Sequence, residues 1–152
     1  MLKKIILILL LILNNNCSYK PVLATKNYDF QIININYQGE DYVNKEIEKK
    51  LIQNSNGDKE YDLNLFSKKE INIISSNTKG DPTKYSLKVM IKYEIIYDGS
   101  IILRNDLERQ AIYNNVDDKF ELSQKEENIL ENITSELSNE ILMSIVNLNN
   151  DN

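Results

Sequence analysis

Between Tyr85 and Tyr97 every odd-numbered residue is aliphatic or aromatic: Tyr85, Leu87, Val89, Ile91, Tyr93, Ile95 and Tyr97. Ser86, Lys88, Lys92 and Glu94 stand between them. Successive side chains of a strand point to opposite faces. This stretch therefore demands a long strand with one face buried and the other wet. Asp98-Gly99 follows, a hairpin dipeptide. Beyond it the odd positions are again mostly apolar: Ile101, Leu103, Leu107, Ala111 and Tyr113. A one-residue slip would exchange the two faces, so odd residues must pair with odd ones. A two-residue loop would pair Tyr97 with Ser100 and set Arg104 beside Tyr93 on the buried side. A three-residue loop, Tyr97-Asp98-Gly99, pairs Ile95 with Ile101 and Tyr93 with Leu103. The pattern predicts the longer loop.

The rest of the chain supplies what such a hairpin needs. Asn27 to Tyr37 is β-rich, with apolar groups on both parities, and predicts a strand wanted on both faces. Val43, Ile47 and Leu51 are four apart and share one face of a short helix. Asn54 to Gly57 ends that helix, with Gly57 offered as a left-handed cap. Tyr61, Leu63 and Leu65 alternate with polar residues, and the parity resumes at Ile71 and Ile73. The polar run Ser67 to Glu70 between them predicts a bend or bulge. Ser123 to Glu126 matches the S-x-x-E capping pattern. Leu130, Ile133, Leu137, Ile141, Ser144 and Leu148 then mark one face of a long helix over about 124–147. The expected fold is α+β. It is a four-stranded, mostly antiparallel sheet with two helices on one face, in the order β-α-β-β-β-α.

The first residues read differently. Lys3 and Lys4 precede nine unbroken apolar residues, Ile5 to Leu13. As a helix that run covers roughly 14 Å, against a bilayer core of about 30 Å. It has the form of an export signal. The one cysteine, Cys17, follows at once. It has no internal disulfide partner, and its place suits a thiol that receives a diacylglycerol. Asn14, Asn15 and Asn16 stand where signal processing prefers small residues. The expected organisation is a signal peptide over 1–16, a lipidated tether over 17–26 and a single domain over 27–148. Acyl chains stabilise insertion by about 0.8 kcal/mol per buried methylene, enough to hold the domain on a membrane.

Charge and chemistry narrow the function. The chain has 18 Lys and Arg against 23 Asp and Glu, net −5, and loss of Lys3 and Lys4 brings this to about −7. That argues against nucleic acid as a partner. Histidine is absent, and with it the usual general base and the commonest zinc ligand. Asp117-Asp118 and Glu126-Glu127 lie in a polar loop and an exposed first turn, without an apolar pocket to raise a pKa. No Gly-rich phosphate loop is present. No enzymatic activity, cofactor or metal is expected. Lys84, Lys88 and Lys92 are four apart on one strand face, at steps of about 13 Å. They form either a solvated face balanced by cross-strand acids or a cationic row for an anionic ligand.

Two stretches resemble a known family. Cys17-Ser18-Tyr19-Lys20-Pro21-Val22 resembles the mature start of the LptE lipoproteins of lipopolysaccharide assembly. Ala111 to Asp117, followed by Glu126-Glu127 and a long terminal helix, is similar to the end of the alphaproteobacterial branch. Ser18 stands where the family usually has Gly. The resemblance implies an outer-membrane lipoprotein, anchored through Cys17 and facing the periplasm or a barrel lumen. Such proteins plug and help assemble the LptD β-barrel and contact lipopolysaccharide. Lys84, Lys88 and Lys92 are the candidate ligand-binding residues, on the strand pattern alone. The alternative is a periplasmic lipoprotein module accessory to an inner-membrane transporter.

Overall fold

The computed structural model describes residues 28–150, with side chains as far as Leu148. The signal segment, Cys17 and the whole of the tether expected above lie outside the described residues. The order is β1 (Gln31–Gly39), α1 (Asp41–Asn54), β2 (Glu60–Ser76), β3 (Pro82–Tyr97), β4 (Ser100–Asn114) and α2 (Lys119–Asn150). The sheet order is β1-β2-β3-β4. β1 runs parallel to β2, and the other neighbours are antiparallel. This is the α+β fold that the alternation and helix spacing require.

The odd face of β2 to β4 is the buried one. Tyr61, Leu63, Leu87, Val89, Ile91, Tyr93 and Ile95 are all buried there. α1 lies over β1 and β2, while α2 lies over β3 and β4 and against α1. α1 contributes Val43, Ile47 and Leu51, and α2 contributes Leu137, Ile141 and Ile145, all without exposed surface. Burying a side chain of this size stabilises by about 1.5–3 kcal/mol. Thr134 and Ser138 are also buried on α2. Polar ties join the layers: Tyr93 Oη donates to Ser144 Oγ at 2.9 Å, and Arg109 donates to Glu140 at 2.6 Å.

Five local expectations are corrected. In β1, Ile32 pairs with Tyr61 and Asn34 with Asp62, so Ile33 is an extra, bulged residue. The bulge switches parity, so Ile32, Ile35 and Tyr37 all fall on the side of Tyr61, Leu63 and Leu65. The strand has one apolar side; the mixed parity reflects the bulge.

The hairpin loop has two residues, not three. Asp98 and Gly99 both have positive φ, 49° and 73°, and Tyr97 pairs with Ser100. Odd-with-odd pairing is restored by a bulge at Ile102, between Ile96↔Ile101 and Ile95↔Leu103. Tyr93 therefore pairs with Asn105 rather than Leu103, and Ile101 joins Ile96 on the outer face. Two positive-φ residues match the twist of the flanking strands, and one bulged residue then corrects the parity.

β2 neither bends nor bulges at Ser67 to Glu70; its pairing with β3 is regular from Asp62 through Ile73. The polar interruption has a packing cause. Ser67 is buried beneath the start of α1, and Lys69 reaches Glu40 at 3.8 Å.

Gly57 is not a left-handed cap. A Cβ there would stand 2.1 Å from the Asp29 carbonyl carbon and 2.2 Å from the Phe30 nitrogen. The glycine admits the incoming chain, whose Phe30 carbonyl accepts from the Gly57 N–H.

Finally, α2 starts before Ser123. Asp118 Oδ1 accepts from the N–H groups of Phe120 and Glu121, at 2.8 and 3.2 Å. Asp118 is the N-cap, and Ser123 lies inside the helix.

Candidate functional site: the outer face of the sheet

The face away from the helices carries the even-numbered residues of β2, β3 and β4. Strand register arranges them in transverse rows, because directly paired side chains lie on one side. One row crosses all four strands: Asn36, Asn64, Glu94 and Arg104. Asn36 donates to Asn64 at 3.3 Å, and Asn64 donates to Glu94 at 3.1 Å. Arg104 Nε donates to Glu94 at 2.8 Å, and a second guanidinium nitrogen lies 2.6 Å from the same oxygen. The Asn64 amide first, and then Arg104, hold the Glu94 carboxyl below its usual range.

The next row brings Gln38, Phe66, Lys92 and Asp106 together. Between the two rows lies a shallow groove of about 540 Å³. The exposed ring of Phe66 forms part of its lining, with Lys92 and Arg104 opposite Glu94 and Asp106. Amides, paired charges and an aromatic face suit this surface to docking a polar partner through many hydrogen bonds.

The three candidate lysines do share this face, but as members of different rows. Lys88 pairs with Glu108 at 2.7 Å and Lys92 with Asp106 at 3.5 Å. Lys84 stands between Ser75 and Asn114 and makes no ion pair among the described residues. Two members of the row therefore carry a β4 carboxylate each. An anionic ligand would have to displace or share those acids, at Lys92 more easily because both groups there are well exposed. The sequence pattern located the lysines but not the continuous Asn36–Arg104 row. That row depends on the β1 and β4 bulges, which periodicity does not specify. Cys17, the expected lipid-attachment residue, lies outside the described residues. Within them, no helix is long and apolar enough to cross a membrane.

The fold is shared with bacterial lipoproteins. Lipoprotein B from Nitrosomonas europaea aligns with a TM-score of 0.64 at 11% identity, over 84% of this chain and 91% of that one. Rare lipoprotein B from Shewanella oneidensis aligns with a TM-score of 0.59 at 14% identity, over 78% and 97%. A minor lipoprotein from Acinetobacter baumannii aligns with a TM-score of 0.57 at 13% identity, over 83% and 96%. No family model matches the sequence, and no curated protein matches it at a significant level.

Proposed function

We propose that this protein is an outer-membrane lipoprotein, anchored by acyl chains on Cys17, that plugs and helps assemble an LptD-like β-barrel and assists lipopolysaccharide insertion. The observation that carries this reading is the whole-domain likeness to rare lipoprotein B, which extends over 97% of that chain. The Cys17 signal in the sequence supports the anchor. A domain of this kind acts through surfaces rather than bond-making, and the outer sheet face supplies one. Its paired charges and amides give the hydrogen-bonding variety that a sugar-phosphate surface requires. Lys84, Lys88 and Lys92 are the proposed contacts to lipid phosphates, Lys84 being the readiest because it has no acid to displace among the described residues.

The test has two arms. Membrane fractionation followed by detergent extraction should recover the protein with the outer membrane and with a β-barrel of that membrane. Recovery with the inner membrane and a transporter would instead favour the accessory-module role. Separately, reversing charge at Lys84 and Lys92 should weaken binding of purified lipopolysaccharide at least several-fold. Unchanged binding would remove those lysines from the site.

A further inference from the structure

β1 covers only the first half of β2. Their pairing ends at Gly39↔Ser67, yet β2 continues to Ser76 and stays paired with β3 on its other side. From Lys68 to Ser76, about 30 Å of strand at 3.3 Å per residue, the second edge of β2 has no strand beside it among the described residues. The lane ends because the chain turns away: Gly39 has φ +99°, and the Glu40 N–H bonds to Ser67 Oγ at 3.0 Å before α1 begins.

The protections of this edge are confined to its two ends, with Lys68, Lys69 and Glu70 at the start and register shifts at Ile73/Ser75 and Ser75/Ser76 at the finish. It contains no proline, and its pairing with β3 is regular from Lys68 to Ile73. Its lysines are drawn aside, Lys68 to Glu70 at 2.7 Å and Lys69 to Glu40 at 3.8 Å. Ile71, Ile73 and Ile74 are 43%, 58% and 46% exposed. On the inner side Ile71 opens into a groove of about 240 Å³ that also meets Tyr42, Lys69, Leu87, Leu130, Glu126 and Glu127. Beside it, the Tyr42 phenol is pushed up by burial and then by Glu131, Glu46 and Glu127.

We infer that this edge accepts an extended segment of another protein, one with alternating apolar residues flanked by Lys or Arg. The unpaired backbone groups fix the occupant as a strand. Ile71 and Ile73 call for apolar side chains on its inner side. Glu126 and Glu127, set against the groove lysine Lys69 that Glu40 already draws to itself, favour basic flanking residues. A second copy is the poorer fit, because it would bring the same acids and the same net negative charge, −5 for the full sequence and about −7 without Lys3 and Lys4, to the contact. The described chain ends are also remote: Tyr28 bridges to Ser55, and Leu148 lies beside Lys59, both at the other end of the sheet. The inference does not depend on the barrel role.

The probe is a synthetic peptide, acetyl-Lys-Val-Thr-Val-Thr-Val-Lys-amide, added to the full chain in detergent. Saturable binding is expected, with new amide-exchange protection confined to residues 68–76. Methylating alternate peptide nitrogens keeps every side chain and charge but removes ladder donors; it should weaken binding at least tenfold. Ile73→Lys should do the same, and Glu127→Gln should weaken binding several-fold while leaving the unbound protein's thermal midpoint unchanged. Equal binding of the methylated peptide, protection elsewhere, or no binding would overturn the inference. So would concentration-dependent protection of residues 68–76 without peptide, which would assign the edge to a second copy.

Discussion

Ser67 Oγ donates to Asn44 Oδ1 at 2.7 Å, and this bond fastens the first turns of α1 to the middle of β2. Both residues are buried, and Asn44 Nδ2 also donates to the Gln38 carbonyl at 3.2 Å. The pair thus links β1, α1 and β2 at the point where β1 ends. Removing Ser67 leaves Asn44 Oδ1 buried without its donor, which costs about 1–3 kcal/mol; removing Asn44 breaks both of its bonds, although Ser67 Oγ still meets Glu40. Asn44→Ala and Ser67→Ala should each lower stability by that amount in urea unfolding. The double variant should lose clearly less than the sum; strict additivity would show that the two side chains act independently.

Gly39 should tolerate no side chain. A Cβ there would lie 1.8 Å from the Ser67 carbonyl oxygen, on a backbone with φ +99°. Steric overpacking adds about 1–3 kcal/mol to a backbone cost of similar size. Gly39→Ala should therefore lower the urea midpoint sharply. Gly80→Ala, with open space around its Cβ, should show only the backbone part. Equal losses at the two sites would refute the close approach at Ser67.

Glu94 should make the fold acid-sensitive. Its folded pKa is below the ordinary value of 4.5 because Asn64 and Arg104 bond to the carboxylate. The stabilisation is present above pH 4.5 and is lost as pH falls through the folded value. Glu94→Gln keeps a polar side chain and removes this titration. Unfolding followed from pH 6 to pH 2 should show a shallower decline for the variant, and parallel curves would count against the assignment. Glu70, lowered by Lys68, contributes with the same sign.

Tyr113 should act at the alkaline end. Its hydroxyl donates to Glu126 at 2.6 Å, and burial, then Glu126, push the phenol far above its usual value of 10. A raised pKa leaves its contribution intact below pH 10. The contribution falls as pH rises further, because the unfolded chain ionises first. Tyr113→Phe should unfold with less dependence on pH above 10 and should cost about 1 kcal/mol at neutrality.

The sequence carries the layers of this fold because burial follows parity. Tyr85 to Tyr97 and the spacing of Leu130 to Leu148 specify which faces meet. Periodicity does not report where one residue is inserted, so Ile33 and Ile102 were invisible as bulges and the loop length was misread. It also does not distinguish Asp118 from Ser123 as a cap, since D-x-x-E and S-x-x-E both stand before the apolar stripe. At the candidate site, the lysines could be placed on their face from β3 alone. Their acid partners required the β4 register, and the row from Asn36 to Arg104 required both bulges.

Those two bulges have an evolutionary corollary. Excising Ile33 alone, or Ile102 alone, would make its strand regular and leave every other residue opposite its present neighbour. Excising Asn36 or Leu107 would turn the side chains on one flank of the cut inside out. Length variation among homologues of β1 and β4 should therefore concentrate at these two isoleucines.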